Sequence, residues 1–185
     1  MNSLILLPDE CKDGTAIVKG ARALYLRETH EVKVGIECRA SIYGGKRGRA
    51  RIVCVSKDEV RLDYVMNEEP LERTRCIVIV AIPRPQTVKK ILQISSTMGV
   101  EELHFIQTEN TEKSYLKSKA LNEEEMRDEI IKGLEQSFDS LPPLVSIHPK
   151  YWQFKKHVLT GLLSRWAKKR AFLLATKGAS RFHLG

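Results

Sequence analysis

The stretch CIVIVAIPRPQTVKKILQISSTMGVEELHFI, residues 76–106, decides the fold. It opens with a continuous apolar run (76–82), which is typical of a strand buried on both faces of a parallel sheet. An amphipathic helix follows, and Gly99 is expected to end it in a left-handed backbone conformation. ELHFI (102–106) predicts a second strand, so the order of these elements predicts a βαβ unit. The apolar stripe of the helix is formed by Val88, Ile91, Leu92, Ser95 and Met98.

Strands and helices continue to alternate beyond this unit. One helix is predicted to open with an Asn-x-x-Glu capping box formed by Asn122 and Glu125. The pattern predicts helices over 122–138 and 151–168, and strands over 143–147 and 171–176. A parallel α/β domain is therefore predicted over residues 71–185. Because no helix follows the last strand before Gly185, we expect this domain to be incomplete.

The first third of the chain has a different pattern, with short β-branched segments separated by glycine or charged turns. YGGKRG (43–48) is expected to be a hairpin turn in which both glycines adopt positive φ angles. Strands at this spacing predict a small closed or half-closed β-barrel over residues 1–70, joined to the second domain by a charged linker at 66–75. The strands are predicted over 4–7, 15–18, 33–43, 49–56 and 59–65.

Composition and charge narrow the class of protein. The chain has 185 residues, 42% of them hydrophobic, so it can form a normal core. Its net charge is +8, and residues 19–51 hold nine basic and three acidic residues. Such a local surplus favours a polyanionic partner, most simply nucleic acid. The four cysteines form no C-x-x-C pair, and no signal peptide or membrane-length apolar run is present, which predicts a cytoplasmic protein with reduced thiols.

The predicted hairpin and the helix before it carry the candidate nucleic-acid contacts. Tyr43 lies beside the hairpin as a possible stacking ring. A solvated, solubilising hairpin and an ordinary amphipathic helix surface are the alternatives for these two segments. The candidate RNA-binding residues are Arg22, Arg27, Lys46, Arg47, Arg49 and Arg51.

No common catalytic signature occurs in the sequence. It has no G-x-G-x-x-G after a strand, no phosphate-binding P-loop and no G-x-S-x-G nucleophile motif. The five histidines lack metal-ligand spacing, so we expect surface or structural roles for them and no metal site. Catalytic and cofactor-binding residues therefore cannot be assigned from motifs of this kind.

Several segments resemble a known family when they are taken in order. They are MNSLILLPDE, ALYLRETHEVKVGIECRASIYGG, PRP, ILQISSTMGV, NTEKSY, GLEQS and IHPKYWQF. Together they are similar to segments of the ribosomal RNA small subunit methyltransferase E family, whose members methylate N3 of a uridine in 16S rRNA. The resemblance covers nearly the whole chain.

This resemblance implies an RNA-binding PUA- or OB-like barrel followed by a SPOUT-type knotted α/β domain. It also implies S-adenosylmethionine as methyl donor, the small ribosomal subunit as partner and a homodimer. Arg27 matches a position that contacts the RNA backbone, and Arg84, between Pro83 and Pro85, matches one at the mouth of the site, near RNA or the partner subunit. The alternative for Arg84 is an arginine with an ordinary structural role at the start of the helix. The family's GPEGG-type loop and its LG-x-R-x-LR-x-ETA-type segment, which form the donor pocket and the knot, have no matching positions here.

Three hypotheses follow. The leading one is a SPOUT-class methyltransferase acting on N3 of a 16S rRNA uridine. The alternative is a catalytically incomplete RNA-binding remnant of such an enzyme, since the barrel is whole and the donor-binding segment is not expected. A weaker third is a generic α/β enzyme with an added barrel, against which the missing phosphate loops argue.

Overall fold

A computed structural model describes residues 3–30 and 32–166 of the chain. The strands of the first part are β1 (Leu4–Leu6), β2 (Cys11–Lys12), β3 (Thr15–Lys19), β4 (Glu37–Ile42), β5 (Arg47–Val55) and β6 (Glu59–Glu68). They form one six-stranded sheet in the order β1-β4-β5-β6-β3-β2, and a helix, α1 (Gly20–His30), lies between β3 and β4. β1 runs parallel to β4, whereas the other neighbours are antiparallel.

This sheet curls around a core because alternate residues of its long strands are apolar or small. On β5, Ala50 and Ile52 are buried, while Arg49 and Arg51 face solvent. The helix α1 packs its apolar side into the same core. The core residues are Leu4, Leu6, Ala16, Val18, Ala23, Leu26, Val32, Ala40, Ala50, Ile52, Val60 and Leu62. The predicted small β-barrel is thus confirmed, in a half-closed form.

The hairpin between β4 and β5 lies where the sequence predicts it. The Ile42 amide donates to the Lys46 carbonyl at 2.9 Å, and the Gly45 amide donates to the Ile42 carbonyl at 2.8 Å. Gly44 has a φ of 73°, but Gly45 does not have a positive φ, so a single glycine supplies the left-handed residue that the turn requires.

The connection between the two parts is shorter than the predicted linker. β6 continues to Glu68 and pairs with β5 as far as Arg47, whereas the next strand begins at Thr74. Residues 69–73 form the whole connection. The predicted division between residues 70 and 71 falls inside it and stays a prediction.

The second part is a parallel three-stranded sheet, β7 (Thr74–Ala81), β8 (Val100–Ile106) and β9 (Leu144–His148), in that order. Helices α2 (Pro85–Thr97) and α3 (Glu123–Ser137) connect the strands. After β9 come α4 (Tyr151–Gln153), a π-helical segment (Phe154–Leu159) and α5 (Thr160–Trp166). The predicted parallel α/β class is confirmed. The predicted strand 171–176 lies outside the described residues.

The helices cover both faces of this second sheet. Val78 and Val80 of β7 face the core that α2 and α3 form, whereas Ile77 and Ile79 face Phe154 and α5. In the described part of the chain β7 pairs with β8 alone, so its apolar residues are half-buried rather than fully buried as expected.

Two details of the helices differ from the predictions. Gly99 ends α2 with a φ of 66°, as expected, but Met98 is 65% exposed and does not belong to the buried stripe. The side chain of Asn122 makes no capping hydrogen bond, so the predicted capping box is absent. Phe138 ends α3 in the left-handed conformation with a φ of 54°.

The cysteines are free thiols, of which Cys54 is exposed and the other three are half-buried. Among the described residues, no helix is both long enough and apolar enough to cross a membrane.

Candidate functional site

The carboxyl ends of β7, β8 and β9 meet at one edge of the parallel sheet, where ligands of open α/β sheets bind. Arg84 lies there at the start of α2, with an extended backbone and an exposed side chain. Its carbonyl accepts hydrogen bonds from the amides of Thr87 at 2.8 Å and Val88 at 3.1 Å. Pro85 occupies the first turn of the helix, where its missing N–H leaves no donor unpaired. The chain therefore fixes the backbone that carries the Arg84 charge.

The long connection after β8 lies beside Arg84. Its NTEKSY segment is ordered: Thr108 donates its amide to the Thr111 hydroxyl at 3.0 Å, and Ser114 donates to Glu112 at 2.6 Å. The hydrogen bond from Ser114, a second one from Tyr115 and the Arg84 charge together hold the pKa of Glu112 below its usual value. Arg84 and NTEKSY, which the sequence places far apart, are thus brought together.

Two short 3-10 turns, Tyr115–Lys117 and Lys119–Leu121, anchor this connection to the domain core. Ala120 and Leu121 are buried there. The following helix, α3, is tied to α2 by Glu129, which is buried and accepts hydrogen bonds from Gln93 and Lys132. Glu129 therefore links α2 and α3, the two helices that flank the connection after β8.

The predicted contacts on α1 have structural partners. Arg22 donates to Glu10 at 2.8 Å and to the Ile5 carbonyl at 2.6 Å, which fixes α1 against the first strand. Arg27 donates to the carbonyl of Lys57. None of these partners belongs to the basic hairpin. These hydrogen bonds therefore do not connect the two predicted RNA-binding segments, α1 and the hairpin.

The basic residues of the hairpin differ in their exposure to solvent and in their contacts within the protein. Lys46 is 55% exposed and pairs with Glu69 at 2.9 Å. Arg47 is 13% exposed; it donates to the Phe138 carbonyl at 3.3 Å and lies 4.8 Å from the centre of the Phe138 ring. Arg47 therefore links the hairpin to the end of α3.

Arg49 and Arg51 project from the outer face of β5 and are exposed. No ion pair or hydrogen bond engages either guanidinium within residues 3–30 and 32–166. Tyr43, expected as a stacking ring, is half-buried against the second core, which β7, β8, α2 and α3 form, and burial raises the pKa of its hydroxyl.

Two residues near Arg49 were missed by the sequence analysis. Arg39 lies directly opposite Arg49 in the register of β4 and β5, and its guanidinium is 5.1 Å from the centre of the Phe138 ring. Counting back from the YGGKRG turn would have paired Arg39 with Arg49. Nothing in the sequence signals that Phe138, at the end of a distant helix, reaches this surface.

A buried polar network lies on the sheet face under α5. His104 Nδ1 and His148 Nε2 are 3.0 Å apart, His104 Nε2 is 3.2 Å from Glu102, and Arg165 donates to Glu102 at 2.8 Å. The Phe154 ring lies 4.7 Å from His148. Burial lowers the pKa of both histidines, and Arg165 adds to this effect at His104 while Glu102 opposes it. The expected structural role of these histidines fits their contacts.

Similar proteins support the resemblance seen in the sequence. A ribosomal RNA small subunit methyltransferase E from Treponema pallidum (strain Nichols) is 28% identical over 154 residues, which are 80% of this chain and 56% of that protein. The ribosomal RNA small subunit methyltransferase E 1 of Borreliella burgdorferi is 26% identical over 156 residues, which are 80% of this chain and 61% of that protein. The chain thus spans little more than half the length of these relatives.

A solved structure shows the same fold. A methyltransferase from Legionella pneumophila in complex with bound SAM superposes with a TM-score of 0.65 at 17% identity, covering 85% of this chain and 66% of that chain. A sequence model of a family described as an RNA methyltransferase domain matches residues 69–183, more than half of the chain. The chain therefore belongs to the RNA methyltransferase domain family, within its ribosomal RNA small subunit methyltransferase E group.

Proposed function

We propose that this chain methylates N3 of a uridine in the 16S rRNA of the small ribosomal subunit. Its membership of the methyltransferase E group is the observation that carries the proposal. S-adenosylmethionine is the proposed methyl donor, because a protein of the same fold has been solved with SAM bound. A homodimer acting on ribosomal subunits in the cytoplasm completes the proposal.

In this proposal the barrel and the sheet edge have separate tasks. The exposed cations of the barrel, of which Lys46, Arg49 and Arg51 are nearest the hairpin, contact rRNA phosphates. Arg84 stands at the mouth of the reaction site, where a fixed backbone directs its charge to RNA or the partner subunit. Three further arginines contact rRNA phosphates through the guanidinium N–H donors that do not bond within the protein; they are Arg22, Arg27 and Arg47.

Among the described residues, no cluster of unpartnered buried polar groups marks a pocket for the methyl donor. Among them, the buried side-chain oxygens without a hydrogen-bond partner belong to Ser41 and Ser140. Ser41 lies on β4 of the barrel, and Ser140 precedes β9, which places it at the opposite edge of the sheet from Arg84. We therefore assign no residue to the donor. Methylation at N3 requires that a uridine proton leave, and no general base is assigned either.

Separate binding measurements test this proposal against the remnant alternative. Isothermal titration with S-adenosylmethionine and, independently, with a 16S rRNA fragment is expected to give binding of both to the full chain. RNA affinity should fall steeply with salt, because phosphate contacts release counterions. RNA binding with no detectable donor binding would favour the RNA-binding remnant and contradict the enzyme.

A further inference from the structure

The strand register of the barrel decides which arginine charges are neutralised. On the outer face of the sheet, Arg51 lies opposite Glu37 of β4 and Asp63 of β6. Arg47 lies opposite Glu68, and their charged groups are 3.3 Å apart. Opposite charges at facing positions stabilise a sheet. Both of these arginines therefore have acidic neighbours that compete with any outside anion.

Arg49, between them, has no acidic residue at either of its two facing positions. It lies opposite Arg39 on β4 and Val65 on β6. Like charges at directly facing positions destabilise a sheet, so this row carries two positive charges that repel each other. Neither guanidinium forms an ion pair within the part of the chain that the structure describes. An anion bound between Arg39 and Arg49 would remove the repulsion.

The same row borders a cavity. About 220 Å³ of space is lined by Arg39, Gly48, Arg49, Glu68 and Phe138. The Phe138 ring lies 5.1 Å from the Arg39 guanidinium, a cation–π contact that restricts where this charge can go. Glu68, the acid in the lining, is already paired with Arg47.

The backbone of Phe138 is itself unusual. Its φ of 54° is rare for a bulky residue, and such conformations persist where the surrounding structure requires them, often at binding sites. The Phe138 carbonyl accepts a hydrogen bond from Arg47 at 3.3 Å, and the Arg47 guanidinium also lies 4.8 Å from the centre of the Phe138 ring. Arg47 therefore contacts both the backbone and the ring of Phe138 and holds the residue next to Arg39.

We propose that Arg39 and Arg49 form a binding site for a backbone phosphate of RNA, and that Phe138 positions Arg39 for it. This inference rests on the proposed function, because it assumes that the barrel binds rRNA. Two guanidinium groups facing one cavity suit a phosphate, whose oxygens accept paired hydrogen bonds from arginine. The site uses Arg39, which the charge pattern of the hairpin alone does not single out.

The test compares two single charge removals on the same sheet. Affinity of the full chain for a short single-stranded RNA is measured by fluorescence anisotropy across a salt series. Arg49→Ala and Arg39→Ala should each weaken binding by about fivefold near 0.1 M salt and make the salt slope shallower by about 0.7, the value for one lost phosphate contact on a single strand. Arg61→Ala, which removes one charge already paired with Glu59 at 2.7 Å, is the matched control and should change little.

Phe138 needs a readout that separates positioning from folding. Phe138→Leu should weaken RNA binding while its thermal midpoint stays close to the original, and Phe138→Tyr should restore the affinity because it keeps a ring under Arg39. If Phe138→Leu lowers both the thermal midpoint and the RNA affinity, and Phe138→Tyr does not restore the affinity, Phe138 does not act by positioning Arg39.

The outcomes separate this inference from the proposed function. If the unaltered chain binds RNA but Arg49→Ala and Arg61→Ala weaken it equally, the phosphate site is wrong while the proposed function stands. If the unaltered chain binds no RNA at any salt, both are overturned. A replacement of the RNA backbone by uncharged methylphosphonates should abolish the difference between the unaltered chain and Arg49→Ala; a difference that persists contradicts phosphate recognition.

Discussion

Arg47 is held at three points by the end of the barrel and the end of α3. Its guanidinium donates to the carbonyls of Glu69 at 3.0 Å and Phe138 at 3.3 Å, and it pairs with Glu68. Arg47→Ala is therefore expected to lower the free energy of unfolding by about 2 kcal/mol, because one half-buried guanidinium loses two hydrogen bonds and an ion pair at once. Urea denaturation followed by circular dichroism measures this change.

Arg51→Ala is the matched control for Arg47, since it removes the same group from the same strand. Its side chain is exposed and makes no hydrogen bond among the described residues, so its effect should stay within about 0.5 kcal/mol. Equal losses in the two variants would contradict the structural role of Arg47.

The buried histidines make stability depend on pH. His104 is 4% exposed and is faced by Glu102, His148, Arg165 and the Phe154 ring. Its pKa in the folded protein is lowered by burial, so the unfolded chain binds a proton that the folded chain refuses. Stability should thus be full above the ordinary histidine pKa of about 6.5 and fall as the pH drops below it, by at most about 1.4 kcal/mol per pH unit and histidine.

Urea denaturation at a series of pH values between neutral and mildly acidic measures this effect. His104→Gln cannot titrate, so its stability should depend less on pH in this window, although the polar contact to Glu102 can be kept. An unchanged pH dependence in the variant would show that His104 does not cause it. His157→Gln, which removes an exposed histidine, is the control and should leave the dependence as it was.

Which arginines are exposed and which make structural contacts could be predicted only in part from the sequence. The basic hairpin and its position are visible in YGGKRGRAR, and strand alternation places Arg49 and Arg51 outward. That Arg47 is structural could not be predicted, because its partner Phe138 is 91 residues away along the chain. Long-range contacts of this kind leave no trace in local pattern.

Close contact between α2 and α3 depends on one glycine. A Cβ at Gly133 would lie 2.3 Å from the Gln93 carbonyl oxygen and 2.7 Å from the Ser96 Cβ, distances that force the helices apart. Gly133→Ala gains helix propensity of about 1 kcal/mol, but overpacking costs about 1–3 kcal/mol. We expect a net loss of stability, measured as a lower midpoint in thermal unfolding.

Gly161 in α5 is the matched control for Gly133. A Cβ there meets nothing within 4 Å, so Gly161→Ala should keep the propensity gain and raise the midpoint. A midpoint that rises in both variants would show that the two helices do not pack as closely as their geometry requires.

The order of the strands and helices was more predictable than the interactions that cap the helices. The order of strands and helices follows from apolar periodicity, and the Gly99 cap from glycine chemistry. The capping box at Asn122 failed for a tertiary reason: the Asn122 amide donates to Lys119 in a preceding 3-10 turn, and the Glu125 carboxylate pairs with Lys89 of α2 at 2.9 Å. Both groups that the box needs are used elsewhere.

The two parts of the molecule share their first strand. Leu4 and Leu6 of β1 belong to the barrel core, whereas Ile5 belongs to the core of the α/β part. Glu135 of α3 binds the same strand, accepting from the Ser3 hydroxyl at 2.8 Å and from the Ile5 amide at 3.3 Å. Stability of the two proposed domains should therefore be coupled.

Differential scanning calorimetry tests this coupling. The unaltered chain should unfold in one transition, and Ile5→Ala should lower it as a whole, with a loss of about 3 kcal/mol from the cavity left in the second core. Two separate transitions, of which Ile5→Ala shifts only the one that belongs to the α/β part, would contradict the coupling and favour independent domains.

The overall architecture was predictable because it follows from two periodicities, strand alternation before residue 68 and strand–helix alternation after 74. The chemistry was not. No catalytic motif lies in the sequence, and the residues that meet at the sheet edge, Arg84 and the NTEKSY segment, are joined by topology rather than by spacing. Family resemblance supplied what local pattern lacked.

Methyl transfer to rRNA is the most direct test of the proposed function. The full chain is incubated with S-adenosylmethionine and small ribosomal subunits that lack the modification, and the rRNA is then digested and analysed by mass spectrometry. We predict N3-methyluridine at a single site in 16S rRNA. Absence of any new methyl group, or a methyl group on another atom or base, would contradict it.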